Sequence, residues 1–282
     1  MTSKALAPIA LAWSVAAGAA PPQPAAPPPA IVVQASSYVA SYEAQLGGLV
    51  AEEDYLQQLS RRTAANLPRQ KRKLRSDFML VKFSDDEPFV PFRDVIEVDG
   101  QPVADRTTRL EQLFLQPGAE ARKSASRITN EGARFNLGRS RRNINVPTLA
   151  LEYLKPANIV RCRFQTPRAE RVEGIEARKV DFKEHGGPTV IQDATTGDNV
   201  PATGTFWIRA SDGAVLRTLI KVGGRLIESE MDVRYCEVAN IAVLVPCRMS
   251  EHFNGRGEEI EGTATYANIR RFTVTTSETI KR

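Results

Sequence analysis

The chain has 282 residues, 42% of them hydrophobic, and its 38 basic and 33 acidic residues leave a formal charge of +5. The apolar share suits a globular protein with a core. The small basic excess argues against a dedicated nucleic-acid-binding protein, which concentrates positive charge in one stripe.

The N-terminal residues have the pattern of a secretory signal peptide. Lys4 precedes an apolar run over residues 5–20, and Ala17-Gly18-Ala19 supplies the small residues of a cleavage site. The run is shorter than the roughly 20 apolar residues of a membrane span. We therefore predict a signal peptide at residues 1–19, no transmembrane span, and a periplasmic or secreted protein.

A proline- and alanine-rich stretch follows the predicted cleavage site. Pro21–Pro29 favours an extended chain that does not join a core, so residues 20–35 are predicted as a linker and 36–282 as one β-rich domain. Ser36–Gln45 has the apolar spacing of a short helix, which Gly47-Gly48 would end. Residues 49–59 fit either a helix or a strand.

Period-two alternation begins near Lys73. Phe78 and Leu80 face one way and Met79 and Val81 the other, which predicts a strand buried on both faces. Asp99-Gly100 is a strong hairpin signal. Residues 106–155 then carry apolar residues at helical spacing, and we predict that they form a helical insert packed on the sheet.

Most of the chain after Ile159 alternates as strands do. Phe206–Ala210 and Val215–Val222 flank a clear hairpin signal at Ser211-Asp212-Gly213. Alternating one-sided strands joined by tight turns predict an antiparallel meander. The predicted fold class is α+β, a mainly antiparallel curved sheet or half-barrel with the helical insert on its concave face.

This order of elements resembles the periplasmic lipoprotein-carrier superfamily, the LolA/LolB-like half-barrels. Five short segments carry the resemblance: Leu74–Phe83, Phe89–Gly100, Phe206–Arg217, Val245-Pro246 and Tyr266–Val274. A sixth, Glu131–Leu154, is also similar to large exported proteins of soil bacteria.

The resemblance implies an apolar cavity for acyl chains between the sheet and the helices. Six apolar residues are candidates for its lining: Phe78, Leu80, Phe92, Trp207, Met231 and Tyr266. The same residue types also build solid cores, so the sequence leaves open whether these six line a cavity or fill one.

No catalytic pattern is visible in the sequence. Only His185 and His252 are available as bases that titrate near neutrality, and neither has an acid–nucleophile signature beside it. The acidic clusters at 52–54, 85–87 and 258–259 are typical of solvated turns rather than of two carboxyls facing each other across a cleft. We predict a protein that is not an enzyme and needs no cofactor or metal.

The three cysteines lack the spacing of a zinc site but suit an oxidising compartment. Cys236 and Cys247 lie on neighbouring predicted strands, in opposite phases that only a β-bulge would reconcile. The sequence therefore leaves undecided whether these two cysteines form a disulfide. If they do, Cys162 would be a buried free thiol.

Two basic clusters are candidates for transient contact with an anionic membrane surface. They are Arg69–Arg75 and Arg139-Arg141-Arg142, and without aromatic partners they fit solvated loops equally well.

We therefore predict an exported, non-catalytic binding protein for a hydrophobic ligand, either a lipid or an acylated peptide. The alternative is a cell-envelope interaction or scaffold protein with a solid core, and a hydrolase ranks last.

Overall fold

A computed structural model describes residues 27–61, 69–81, 89–114, 121–139, 142, 144–193, 197–223, 227–255 and 257–271. The predicted signal peptide and the first part of the predicted linker lie outside these ranges. Within the described ranges, no helix is long and apolar enough to cross a membrane.

Twelve strands form one open antiparallel sheet, as predicted. The spatial order is β4-β3-β2-β1-β12-β11-β10-β9-β8-β7-β5, and β6 pairs with β7 beside β5. The strands are β1 Leu49–Arg61, β2 Gln70–Val81, β3 Val90–Val98, β4 Gln101–Pro102, β5 Cys162–Phe164, β6 Arg168–Val172, β7 Ile175–Glu184, β8 Ala202–Arg209, β9 Val215–Gly223, β10 Ile227–Cys236, β11 Val245–Gly255 and β12 Glu258–Arg271.

The helices are α1 Ala30–Leu46, α2 Arg106–Phe114, α3 Ala121–Gly132 and α4 Pro156–Ile159, with a 3₁₀ helix at Leu149–Leu154. Helix α1 begins six residues before the predicted start of the folded domain at Ser36. The predicted linker therefore extends too far, because Val32 and Ala35 are fully buried helix residues rather than tether.

Residues 49–59 form most of β1, which settles the choice that the sequence left open. Gly47 ends α1, and the strand then runs antiparallel to both β2 and β12. The first and last of the described strands are thereby neighbours in the middle of the sheet.

Both predicted hairpins are present. Asp99 and Gly100 both have positive φ, 52° and 79°, as a two-residue turn of the mirror-image type requires. Gly213, also at positive φ, closes the turn between β8 and β9.

One face of the sheet, here called the inner face, packs against the helices and forms the concave side of the half-barrel. Helix α1 and the 3₁₀ helix cover part of it with apolar side chains, including Val39, Tyr42 and Leu154. The described residues of segment 133–146, namely 133–139, 142 and 144–146, follow α3 and cover the inner face of β1 and β11 with polar groups. The opposite face, the outer face, carries alternating charged residues.

Helix α3 packs against β3, near one edge of the sheet. Gly132 lies so close to this strand that a Cβ there would be 3.3 Å from the backbone nitrogen of Arg93. This contact covers a strand that would otherwise expose its backbone to other chains. Phe135 and Leu137, which belong to the predicted helical insert, lie just beyond the end of α3.

Candidate functional site

The predicted cavity residues divide between the two faces of the sheet. Phe78, Leu80, Met231 and Tyr266 lie on the inner face, as their pairing with buried neighbours shows. Phe78 and Tyr266 make an edge-on ring contact, with centroids 5.8 Å apart. These four residues are consistent with a common apolar interior.

Trp207 and Phe92 are on the outer face, contrary to the prediction that they share a cavity with Phe78. Trp207 pairs with Lys179 and Arg217 across its two neighbouring strands. Both cations lie over its ring, at 5.2 Å and 4.4 Å from the centroid. The alkyl stems of such cations bury an aromatic ring from water, so an outer-face tryptophan need not face the core.

Phe92 lies on the outer face because of the way in which β3 pairs with β2. It pairs with Met79, whereas Arg93 pairs with Phe78 and therefore lies on the inner face. A bulge at Ile96 then shifts the register of β3 against β2. Sequence alternation alone gave the wrong face because a buried arginine occupies the position expected of an apolar residue.

Within the described residues, the apolar space under α1 is nearly filled. A gap of only about 10 Å³ lies between the end of α1 and the sheet, about the space that one water needs. Its lining is Leu46, Leu49, Ala51, Phe78, Met79, Leu80, Val245, Pro246, Tyr266 and Ile269. We call this the apolar gap, and in this state it is too small for an acyl chain.

A second interior region is polar and consists of two buried ion pairs. Arg93 donates to Glu53 through Nη2 at 2.8 Å and also through Nε. Arg142 donates from Nε to Glu251 Oε1 at 2.8 Å. All four side chains are at most 5% exposed.

Polar side chains connect the two pairs. The Tyr55 hydroxyl donates to Glu251 and accepts a 3.1 Å bond from Asn145 Nδ2, while the Asn145 carbonyl accepts from Arg93. Tyr266 donates to Glu53 Oε1 at 2.8 Å. Burial and the neighbouring Glu251 raise the pKa of Tyr55, so its hydroxyl stays protonated and can donate.

Gln57 extends the connection into segment 133–146. Its Oε1 accepts from the backbone nitrogen of Leu137 at 2.9 Å and from Arg142 Nη2 at 2.8 Å. We call this set the buried ion-pair cluster: Glu53, Tyr55, Gln57, Arg93, Arg142, Asn145, Glu251 and Tyr266. Because these groups are paired and shielded from solvent, the cluster is suited to fixing segment 133–146 on the sheet rather than to turning over a substrate.

The acidic triplet at 52–54 is therefore not the solvated turn that we predicted. Glu53 lies in β1 in phase with Tyr55 and is fully buried, whereas Asp54 is exposed and meets Lys73 at 3.1 Å. Glu258 is also buried and accepts from the backbone nitrogen of Arg139 at 2.7 Å. The cluster at 85–87 lies outside the described residues.

The described histidines do not form a nucleophile–base arrangement. His185 is half-buried in a turn, where its backbone nitrogen donates to Arg161. His252 is exposed on β11, with Glu259 3.8 Å away. In the ranges that the structure describes, no group of three potential ligands could hold a metal ion.

The predicted basic clusters are largely engaged by the protein itself. Arg142 is buried, Arg72 donates to the Phe135 carbonyl at 2.9 Å, and Arg75 meets Glu97 at 3.2 Å. Arg141 lies outside the described residues. In the first cluster Arg69, Lys71, Lys73 and Arg75 are exposed, although Lys73 and Arg75 pair with acids. Because part of their charge is paired or buried, the clusters offer a membrane surface less charge than the sequence suggests.

A disulfide joins Cys236 on β10 to Cys247 on β11, with the Cα atoms 5.7 Å apart. The opposite phases are reconciled by a bulge between Arg234 and Tyr235. Cys162 is the buried free thiol. The bridge lies next to Val245 and Pro246, so it fixes the wall of the apolar gap.

No protein-family model and no curated protein matches the sequence. Solved structures do resemble the fold. A domain named as an outer membrane lipoprotein-sorting protein from Vibrio parahaemolyticus is 10% identical over 86% of this chain and 93% of its own, with a TM-score of 0.42. A DUF1329 family protein from Desulfovibrio piger is 10% identical over 87% and 93%, with a TM-score of 0.39.

The Mycobacterium tuberculosis lipoprotein LppX is 12% identical over 88% of this chain and 99% of its own, with a TM-score of 0.28. These likenesses are remote in sequence. The open antiparallel sheet and the helices of this chain agree with the α+β fold that its sequence predicted.

Proposed function

We propose that the chain is a non-catalytic, extracytoplasmic binding protein that takes an apolar group into the apolar gap. The group would be the acyl chain of a lipid or of an acylated peptide. The observation that carries the proposal is the lining of the gap, whose ten described residues include no charged side chain. The Cys236–Cys247 disulfide supports an oxidising compartment outside the cytoplasm.

The apolar gap has to widen to accept such a group, and α1 is the element best suited to move. Its side chains Val39, Tyr42 and Leu46 face the interior. Apolar burial stabilises their packing without fixing the helix in one orientation, because the hydrophobic effect is non-directional. Its polar ties include the Tyr38 hydroxyl, which accepts from the Leu244 nitrogen at 3.1 Å, and Glu43, which meets Lys155 at 2.7 Å. The described part of segment 133–146, by contrast, is fixed by the buried Arg142–Glu251 ion pair and by the bond from Arg93 to the backbone carbonyl of Asn145.

Burial of an acyl chain would supply free energy toward this opening. Each buried methylene contributes about 0.8 kcal/mol, so eight methylenes would contribute about 6 kcal/mol. The chain would replace the contacts that α1 now makes with the sheet, so the net affinity is smaller. A ligand with a longer apolar segment is expected to bind more tightly.

The test is native mass spectrometry of the exported full-length chain, followed by lipid extraction. A variant with Ile269→Lys places a charge at the gap, since Ile269 is one of its partly exposed lining residues. Leu56→Lys is the matched control, because Leu56 is 40% exposed on the outer face of β1. We expect bound lipid on the wild type and on the control but not on the Ile269 variant.

A second function is favoured by the small volume of the apolar gap, namely an interaction or scaffold module of the cell envelope. A solid core leaves the sheet as a rigid platform for a partner. The same experiment separates the two functions. Absence of lipid from all three proteins, together with no uptake of a fluorescent fatty acid, would reject the apolar-ligand proposal and leave the platform.

A further inference from the structure

A depression on the outer face contains two arginines that belong neither to the apolar gap nor to the buried ion-pair cluster. It has a volume of about 360 Å³ and is lined by Asp232, Arg234, Arg248 and Ser250. These residues belong to β10 and β11, on the side of the sheet away from α1. The depression is thus independent of the proposed apolar-ligand site.

Arg234 and Arg248 are directly opposite each other in the β10–β11 ladder. They share the outer face, because the neighbouring pair Val233 and Met249 is buried on the inner face. Like charges directly opposite each other on one face destabilise a sheet. Both residues lie beside the bulge and the disulfide, which hold the two strands in this register.

The surrounding acids leave this positive charge only partly compensated. Asp232 lies in the depression but is already engaged by Arg217, whose Nε is 2.9 Å from Oδ1. Arg234 pairs with Glu173 and remains 45% exposed. No acid among the described residues forms an ion pair with Arg248, which is exposed.

We propose that this depression is a binding site for a phosphate group, held between the guanidinium groups of Arg234 and Arg248. A guanidinium presents paired N–H donors that match the oxygens of a phosphate, and an anion would relieve the repulsion between the two arginines. The Ser250 hydroxyl lines the same depression and supplies a further donor. The group is either free phosphate or the phosphate of a lipid headgroup.

The test uses the full-length chain with inorganic phosphate and with vesicles of phosphatidylglycerol or phosphatidylcholine. Isothermal titration and vesicle co-sedimentation are carried out on the wild type, Arg248→Ala and Arg248→Glu. Lys221→Ala is the matched control, because it also removes an exposed cation from the outer face, one that already pairs with Glu230 at 2.6 Å. We expect at least a tenfold loss of affinity in both Arg248 variants and less than a twofold change in the control.

Thermal unfolding provides a second readout that a merely structural arginine would not give. Arg248→Glu should unfold at a higher temperature than the wild type because it replaces the repulsion with an ion pair to Arg234. Added phosphate should raise the unfolding temperature of the wild type and of Lys221→Ala, but not of the two Arg248 variants.

Binding of inorganic phosphate would identify free phosphate as the ligand source, and binding of phosphatidylglycerol vesicles alone would identify the headgroup. Either result, with loss in the Arg248 variants, supports the site. The proposal would be overturned if the wild type bound neither probe, or if wild type and Arg248→Ala bound equally well. Vesicle binding through the apolar gap would persist in the Arg248 variants, so its presence or absence is distinguished from binding at the depression.

Discussion

Arg93 and Glu53 form a two-point ion pair inside the protein, with 5% and 0% of their side chains exposed. Burial alone would lower the pKa of Arg93, but the charge of Glu53 and the hydrogen bonds to it outweigh that effect and raise it. Arg93 therefore keeps its charge because Glu53 is present. Removing one member leaves a buried charge without its partner.

We expect Arg93→Met to lower the free energy of unfolding by about 3–5 kcal/mol, the usual result of breaking a buried ion pair from one side. Urea unfolding followed by tryptophan fluorescence measures the change. Lys221→Ala breaks an exposed pair on the outer face and should change stability by less than about 1 kcal/mol. Equal effects of the two substitutions would show that the Arg93–Glu53 pair is not buried as described.

The Arg142–Glu251 pair permits a sharper test, because both side chains can be replaced together. Arg142→Met and Glu251→Met should each destabilise the protein by about 3–5 kcal/mol, whereas the double variant should lose much less than their sum. Urea unfolding of the four proteins gives the coupling free energy. Strict additivity would contradict a direct interaction between the two groups.

The single Arg142 variant should also loosen segment 133–146 without unfolding the sheet. Hydrogen exchange is the appropriate measurement, because the Leu137 nitrogen is bonded to Gln57, which Arg142 also contacts. We expect faster exchange at Leu137 and unchanged exchange in β8 and β9. Uniform loss of protection would indicate global destabilisation instead.

The sequence predicted the sheet because its signals there are local. Asp99-Gly100 and Ser211-Asp212-Gly213 specify tight turns whatever surrounds them, and alternation in β8–β11 then fixes which residues face inward. The boundary of α1 was missed because residues 30–35, rich in small and β-branched side chains, follow a proline run. Their burial depends on contacts with distant strands.

The interior was predicted less well because its chemistry depends on pairs that are distant in sequence. Glu53 and Arg93 are 40 residues apart and Arg142 and Glu251 are 109 apart, so neither pair has a local signature. One signal could have revealed that Glu53 is buried: it lies two residues from Tyr55 in β1, so both side chains are on the same face of the strand. The proposed phosphate site is similar, because only the β10–β11 register brings Arg234 and Arg248 together.

The Cys236–Cys247 disulfide should stabilise the folded chain by about 2–4 kcal/mol, the typical value for a native bridge. We expect thermal unfolding to shift to a lower temperature in the presence of a reducing agent. The double variant Cys236→Ser, Cys247→Ser is the control and should unfold at one temperature with or without the reductant. Three free thiols in the untreated protein, counted by mass spectrometry after alkylation, would contradict the bridge.

Cys162 should be unreactive in the folded protein over the ordinary pH range. Burial, and then the charge of Glu184, raises the pKa of its thiol to about 12. Since the thiolate is the reactive form, a disulfide reagent at pH 8 should modify Cys162 only after unfolding in urea. Rapid labelling of the folded wild type at pH 8 would show that the thiol is exposed.

The same raised pKa predicts how Cys162 affects stability. The folded state favours the neutral thiol, so the contribution of this group is fully present below the pKa of the unfolded chain, near 8.5, and is lost as the pH rises toward 12. Urea unfolding at pH 7.5 and pH 10 measures the loss. Tyrosines with raised pKa values act in the same direction, so the wild type is compared with Cys162→Ala. The free energy of unfolding should change less between the two pH values in Cys162→Ala than in the wild type. An identical pH dependence in both proteins would show that Cys162 does not contribute to it.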